Sequence, residues 1–253
     1  GPLVGGALVG LGLRAPFLIY AVALLVAAAV VFVSLRHSAL AAPDSGAGMP
    51  AMRLREALRS PVYRAALGSN FASGWVVFGV RVAMVPLFVV EVLGRDAGLA
   101  GVALTVFAVG NALVLMVSGR LSDRFGRRPF VLLGLVVCGT STIAMGLTTN
   151  LALFFATSLL AGVGSGLMNP AQQASVADVV GSKARGGPVL APFQMTADVG
   201  AVIGPVAAGV LAQHLSYGAA FAVTGAVMLL VAVPWALAPR LTREPAVTEA
   251  TER

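Results

Sequence analysis

Seven long apolar runs, separated by short polar gaps, limit what this chain of 253 residues can fold into more than any other feature. Residues 16–35, 65–90, 99–118, 129–148, 151–174, 189–212 and 217–238 each reach the ~20 residues that cross a hydrocarbon core. Residues 1–12 are apolar but shorter, and read as the outer half of an eighth span. In lipid, backbone polar groups must be satisfied inside the spanning structure, so runs of this length and spacing predict helices. Composition agrees. The chain is 58% hydrophobic and 11% charged, with a mean hydropathy of +0.93. Soluble domains carry about 25% charged residues. The expected fold is therefore an all-α polytopic membrane protein in contact with a lipid bilayer.

The charges assign the sides. Arg36, Arg53, Arg55, Arg59 and Arg64 share one gap, and Arg120, Arg124, Arg127 and Arg128 another. Lys183 and Arg185 occupy a third, and Arg240, Arg243 and Arg253 the tail. These alternate gaps hold fourteen of the seventeen basic residues, whereas the opposite gaps hold only Arg14 and Arg95. Basic loops stay cytoplasmic, so the C-terminus is expected there too. The net charge of +7 is explained by this bias. It does not mark a nucleic-acid partner, because the basic residues lie between spans and form no single polar face.

Other chemistries find little support. Cys138 is the only cysteine, so no intrachain disulfide or cysteine metal site can form. His37 and His214 are far apart and have no metal-ligand spacing. No nucleophile sits beside a base and no glycine-rich loop cradles a phosphate, so neither an enzyme nor a cofactor is expected. No basic n-region or cleavage site marks a signal peptide, and Gly1-Pro2 reads either as a protease scar from an expression tag or, as the repeat described below favours, as native sequence.

The densest group of charges is Gly119-Arg120-Leu121-Ser122-Asp123-Arg124-Phe125-Gly126-Arg127-Arg128. Gly119, Asp123, Arg124, Gly126, Arg127 and Arg128 spell G-x-x-x-D-R-x-G-R-R. Gly119 and Gly126 suit a tight hairpin. Asp123 can face a helix N-terminus, and the arginines can meet acids, helix C-termini or lipid phosphates. A second pattern repeats. Gly1-Pro2-x-x-x-Gly6 and Gly204-Pro205-x-x-x-Gly209 each precede, by about a dozen residues, a phenylalanine (Phe17, Phe221) that begins the next apolar run.

The ten-residue loop resembles the cytoplasmic hairpin motif of the major facilitator superfamily of secondary transporters. The Gly-Pro repeat is similar to the parallel repeats from which that family builds two six-helix halves. Gly1-Pro2-Leu3-Val4-Gly5-Gly6 further resembles the end of a helix-5 motif linked with proton-driven drug antiporters. The resemblance implies a major facilitator fold from the end of family helix 5 to helix 12: a C-terminal six-helix bundle plus helix 6. Residues 1–35 would close the N-terminal bundle, 36–64 form the central cytoplasmic loop, 65–238 the C-terminal bundle and 239–253 a cytoplasmic tail. Within the central loop, residues 42–48 read as linker, and 52–59 as either a surface amphipathic helix or an unstructured basic stretch. The N-terminal helices of the same protein are implied as partners. The hairpin motif would latch helix bundles in one conformation, with Asp123 meeting the start of family helix 5. The alternative is that its basic residues only set topology.

Two charges fall inside the spans, where ionisable groups are costly and functional by default. Asp198 is a candidate for proton coupling, or else a fixed partner of an arginine or helix end. Arg81 is a candidate for holding a substrate anion or contacting Glu91 or Asp198, or else it snorkels to the outer interface. Asn111, Asn169 and Gln172 could line a cavity, or bond helices together. Gln173 is another polar group in the same run. Gly162-x-x-x-Gly166 and Gly200-x-x-x-Gly204 read as close-packing ridges, and Asp178 as a helix-end charge. The resulting expectation is alternating-access transport of a small organic solute across the cell (inner) membrane, driven outward by protons. Metabolite uptake and a non-transporting membrane sensor or interaction subunit remain as alternatives.

Overall fold

The computed structural model describes residues 15–35, 51–181 and 185–238. The described chain is helical, with a single isolated bridge between Ala51 and Arg185. Helix α1 (Ala15–Leu35) is followed by a one-turn helix α2 (Leu54–Ala57). Six long helices come next: α3 (Pro61–Glu91), α4 (Gly98–Phe125), α5 (Arg127–Leu147), α6 (Leu151–Val180), α7 (Gly187–His214) and α8 (Tyr217–Leu237). All six are long and apolar enough to cross a membrane. This is the expected all-α polytopic architecture.

Helices α4 and α6 run on to Phe125 and Val180, past the apolar runs 99–118 and 151–174. The added turns carry Arg120, Asp123 and Arg124 on α4, and Ser175 and Asp178 on α6. A helix that leaves the hydrocarbon can continue in water, so apolar length marks the buried part of a helix and not its end. Starts are set more sharply. Ser60, Asn150 and Ser216 each accept a hydrogen bond from the backbone N–H three residues on, capping α3, α6 and α8.

The six helices pack as two related triplets. Helix α4 lies along α6 as α3 lies along α7, α5 meets α6 as α8 meets α3, and the pairs α5–α8 and α3–α6 close the bundle. Exchanging α3, α4 and α5 for α6, α7 and α8 reproduces this pattern, the signature of three-helix repeats nested in a six-helix half. Glycines permit the closest approaches. Gly162 and Gly166 of α6 press on the backbone of Phe107 and Asn111 in α4, where an added Cβ would collide. Gly200 and Gly204 of α7 meet Phe71 and Trp75 of α3 in the same way. These are the ridges expected from sequence; packing of this kind holds helices together where lipid offers no hydrophobic drive.

Burial is uneven. In the apolar stretch of α3, 61% of residues are buried, against 17% in those of α4 and α7. Exposed Val109, Leu113 and Met116 on α4, with Met195, Val199, Val202 and Val206 on α7, leave broad apolar faces open. In α1, every residue from Leu18 to Ser34 is exposed.

The stretch 51–60 is neither a free surface helix nor an unstructured linker. Ala57 is fully buried, Met52 and Leu54 pack on the core, and the Met52 N–H donates to the Arg185 carbonyl at 3.2 Å. The segment caps one end of the bundle. Gly1, Pro2 and Gly6, the linker 42–48 and the tail 239–253 lie outside the described residues.

Candidate functional site

One end of the bundle gathers the basic gaps. The C-termini of α4, α6 and α8 and the N-termini of α3, α5 and α7 meet there, joined by polar bonds between helices. Arg127, at the start of α5, is the hub. Its Nη1 donates to Asp123 Oδ1 on α4 at 2.7 Å, and its Nε donates to Asp178 Oδ2 on α6 at 2.5 Å. Its Nη2 reaches Asp178 Oδ1 at 3.4 Å, making the second pair two-pronged. Arg128 donates through Nη2 to the Ala236 carbonyl in the last turn of α8, where helix carbonyls lack intrahelical partners. Arg124 lies 5.5 Å from the Phe125 ring centroid. The Tyr63 hydroxyl donates to the Val189 carbonyl at 2.7 Å and fastens α3 to α7 at the same end.

The hairpin differs from expectation in one respect. The turn is a single residue, Gly126, whose φ of +94° is open to glycine and strained for other residues. Gly119 instead lies inside α4, and a Cβ there would meet nothing within 4 Å. Neither positive φ nor close packing explains it. Gly209 is likewise free of close contacts, whereas Gly204 presses on Trp75 and Pro205 lies within α7. Asp178, read as a helix-end charge, is the main acceptor for Arg127. Its role was not visible in sequence, because α5 and most of α6 separate it from Arg127, 51 positions away.

A second polar group lies in the interior. Gln172 is 1% exposed, and its Nε2 donates to Asn70 Oδ1 at 3.2 Å and to Asn169 Oδ1 at 3.3 Å. The Asn70 Nδ2 donates to the Phe193 carbonyl at 2.6 Å, and the Asn169 Nδ2 to Ser165 Oγ at 3.0 Å. The chain of bonds ties α6 to α3 and α3 to α7. Asn169 and Gln172 do share a face, as their spacing predicts, and Gln172 serves as interhelix glue. Asn70 was missed; its only signal was a polar break in the apolar run. Asn111 is half-buried beside Gly166, and Gln173 is exposed.

Arg81 is 3% exposed, so it does not snorkel outward. It does not contact Glu91, which accepts from the Tyr217 hydroxyl at 2.7 Å, and it forms no ion pair among the described residues. Its guanidinium sits 4.2 Å from the Phe107 ring centroid, and Nη1 lies 4.0 Å from Met145 Sδ. Nε and Nη2 are buried with no hydrogen-bond partner among the described residues. The preceding turns, Gly74–Val80, wind as a π-helix, a local widening common at functional sites. Asp198 is exposed on the weakly buried α7, and its side chain makes no hydrogen bond or ion pair among the described residues.

A membrane bundle of two related helix triplets, joined by charged contacts at one end and carrying ionisable groups within its apolar runs, is the half-unit of a secondary transporter rather than an enzyme scaffold. The chain belongs to the Major Facilitator Superfamily, whose sequence model matches residues 66–253. It is thus an integral, multi-pass membrane protein. It is similar to Multidrug resistance protein 2 of Bacillus subtilis, with 28% identity over 57% of this chain and 36% of that protein. It also resembles a Na(+), Li(+), K(+)/H(+) antiporter of Planococcus maritimus, with 32% identity over 55% of this chain and 32% of the relative. The chain therefore spans about a third of the length of these curated relatives. A solved peptide transporter POT in complex with sulfate shares the fold, with a TM-score of 0.63 at 21% identity over 72% of this chain and 40% of that one.

Proposed function

We propose that the natural protein carrying this chain exports a small organic solute across the cell membrane by alternating access, coupled to proton entry. The observation that carries the reading is Asp198, a carboxylate at membrane depth, exposed on the open face of α7. A charge in that position is unfavourable against lipid and calls for a second helix bundle or a water-filled path opposite it. Packing the open faces of α4 and α7 against the N-terminal half would place Asp198 at the midplane interface where such transporters bind and couple. Protonation as that interface closes, and release as it reopens, links proton entry to solute exit. The Asp123–Arg127–Asp178 cluster and the Arg128 bond to α8 act as the latch. The basic end then faces the cytoplasm, with the C-terminus. The names of the multidrug resistance and cation/proton antiporter relatives support export and proton coupling.

The test is accumulation of the carboxylate-bearing fluorescent probe norfloxacin in cells producing the natural protein. Accumulation should fall, an uncoupler should restore it, and Asp198→Asn at equal membrane abundance should remove the uncoupler-sensitive part. Raised accumulation would replace export by uptake. An unchanged level would favour a sensor or interaction subunit. Full activity in Asp198→Asn would end the coupling role.

A further inference from the structure

We propose that the Nε–Nη2 edge of Arg81 seats a carboxylate carried by the transported solute. The proposal rests on the transport reading above and names the chemistry of its substrate.

A guanidinium offers five N–H donors in a planar fork, and in this one the three on Nε and Nη2 have no acceptor among the described residues. Phe107 covers a face at 4.2 Å, and Met145 Sδ stands 4.0 Å from Nη1. Nε and Nη2, which project their N–H groups side by side, are buried and have no acceptor among the described residues. The same molecule shows what this edge holds. In Arg127, Nε and Nη2 engage the two oxygens of Asp178. Two parallel donors fit a planar two-oxygen acceptor, and a guanidinium enclosed by an aromatic ring and a thioether gains most from an anionic one.

Charge selects a monoanion. Arg81 brings one positive charge, and the neighbours it has among the described residues, Phe107 and Met145, add none, so a monoanion matches it and a dianion such as sulfate does not. Access follows from the π-helical turn Gly74–Val80 that ends at Arg81. Moving one residue out of such a turn rotates the following helix by about 100° about its axis. Such a rotation would turn the edge away from Phe107 and Met145 and open it to an arriving carboxylate.

The experiment is isothermal titration of the purified natural protein with benzoate, benzamide, sulfate and chloride, without any ion gradient. Benzoate should bind saturably and its neutral isostere benzamide should not. Arg81→Lys, which keeps the charge and loses the fork, should weaken benzoate by about tenfold or more. Equal binding of benzamide, tighter binding of sulfate or chloride, absence of benzoate binding, or unchanged affinity in Arg81→Lys would each overturn the proposal. If Arg81→Lys does not fold, the benzoate–benzamide contrast in the unaltered protein decides. Because binding is read at equilibrium, failure here with norfloxacin export intact removes only the carboxylate seat. Failure of Asp198 coupling leaves the binding test standing.

Discussion

Arg127 and Arg81 are the same side chain in two settings. Arg127 stands at the rim of the bundle, part-exposed, with carboxylates on two neighbouring helices. Arg81 stands inside, with a ring and a thioether for company and two donors unmatched. At the rim water can replace either partner, so the pairs contribute little net stability and can break and re-form at small cost. That suits a latch. In the interior water is excluded, and an unmatched guanidinium destabilises the resting bundle. That suits a group whose partner arrives during the cycle. The structure thus separates a charge paired between helices from one enclosed without an acceptor among the described residues.

The largest effect should come from removing the interior charge. Arg81→Met in the purified natural protein is expected to raise unliganded stability by about 1–4 kcal/mol, since replacing a buried charge by a well-packed apolar group of similar volume is often stabilising. Thermal melting in detergent reads this, and a lower melting temperature would show that Arg81 is already paired. A middle-sized effect is expected from Gln172→Leu, which cuts the bonds to Asn70 and Asn169. A loss of about 0.6–1.7 kcal/mol, the range for polar contacts between membrane helices, should appear in the same melt. Melting unchanged relative to the parent would mean that the buried amide contributes nothing net. The smallest change in stability belongs to the rim. Asp178→Asn should cost less than about 1 kcal/mol, and the difference should shrink with added salt. Its norfloxacin export should nevertheless slow. Normal export with normal abundance would reduce the rim cluster to topology alone.

Much of this was legible because the bilayer is a strict solvent. Long apolar runs had to be helices, and the six membrane-length helices stand where those runs lie. The cluster at Arg127 was partly legible too, since Asp123 and Arg127 are one helical turn apart in spacing and belong to one motif. Asp178 and Asn70 were not. Their partners lie 51 and 102 positions away, and no local pattern reports which helix will face which. The glycine ridges were legible as close-packing surfaces, but their partners on α4 and α3 were not.

The sequence by itself determined what each segment must do in lipid: span it, turn, or stay on the basic side. Backbone hydrogen bonding and the cost of charge in hydrocarbon act on each segment alone. Tertiary packing decided that Arg81 is enclosed while Asp198 is open, because rotation of a helix about its axis is set only by its neighbours. It also decided that Gly119 lies within a helix and Gly126 makes the turn. Glycine spacing permits either residue to turn, and only the seating of α5 against α6 and α8 selects between them.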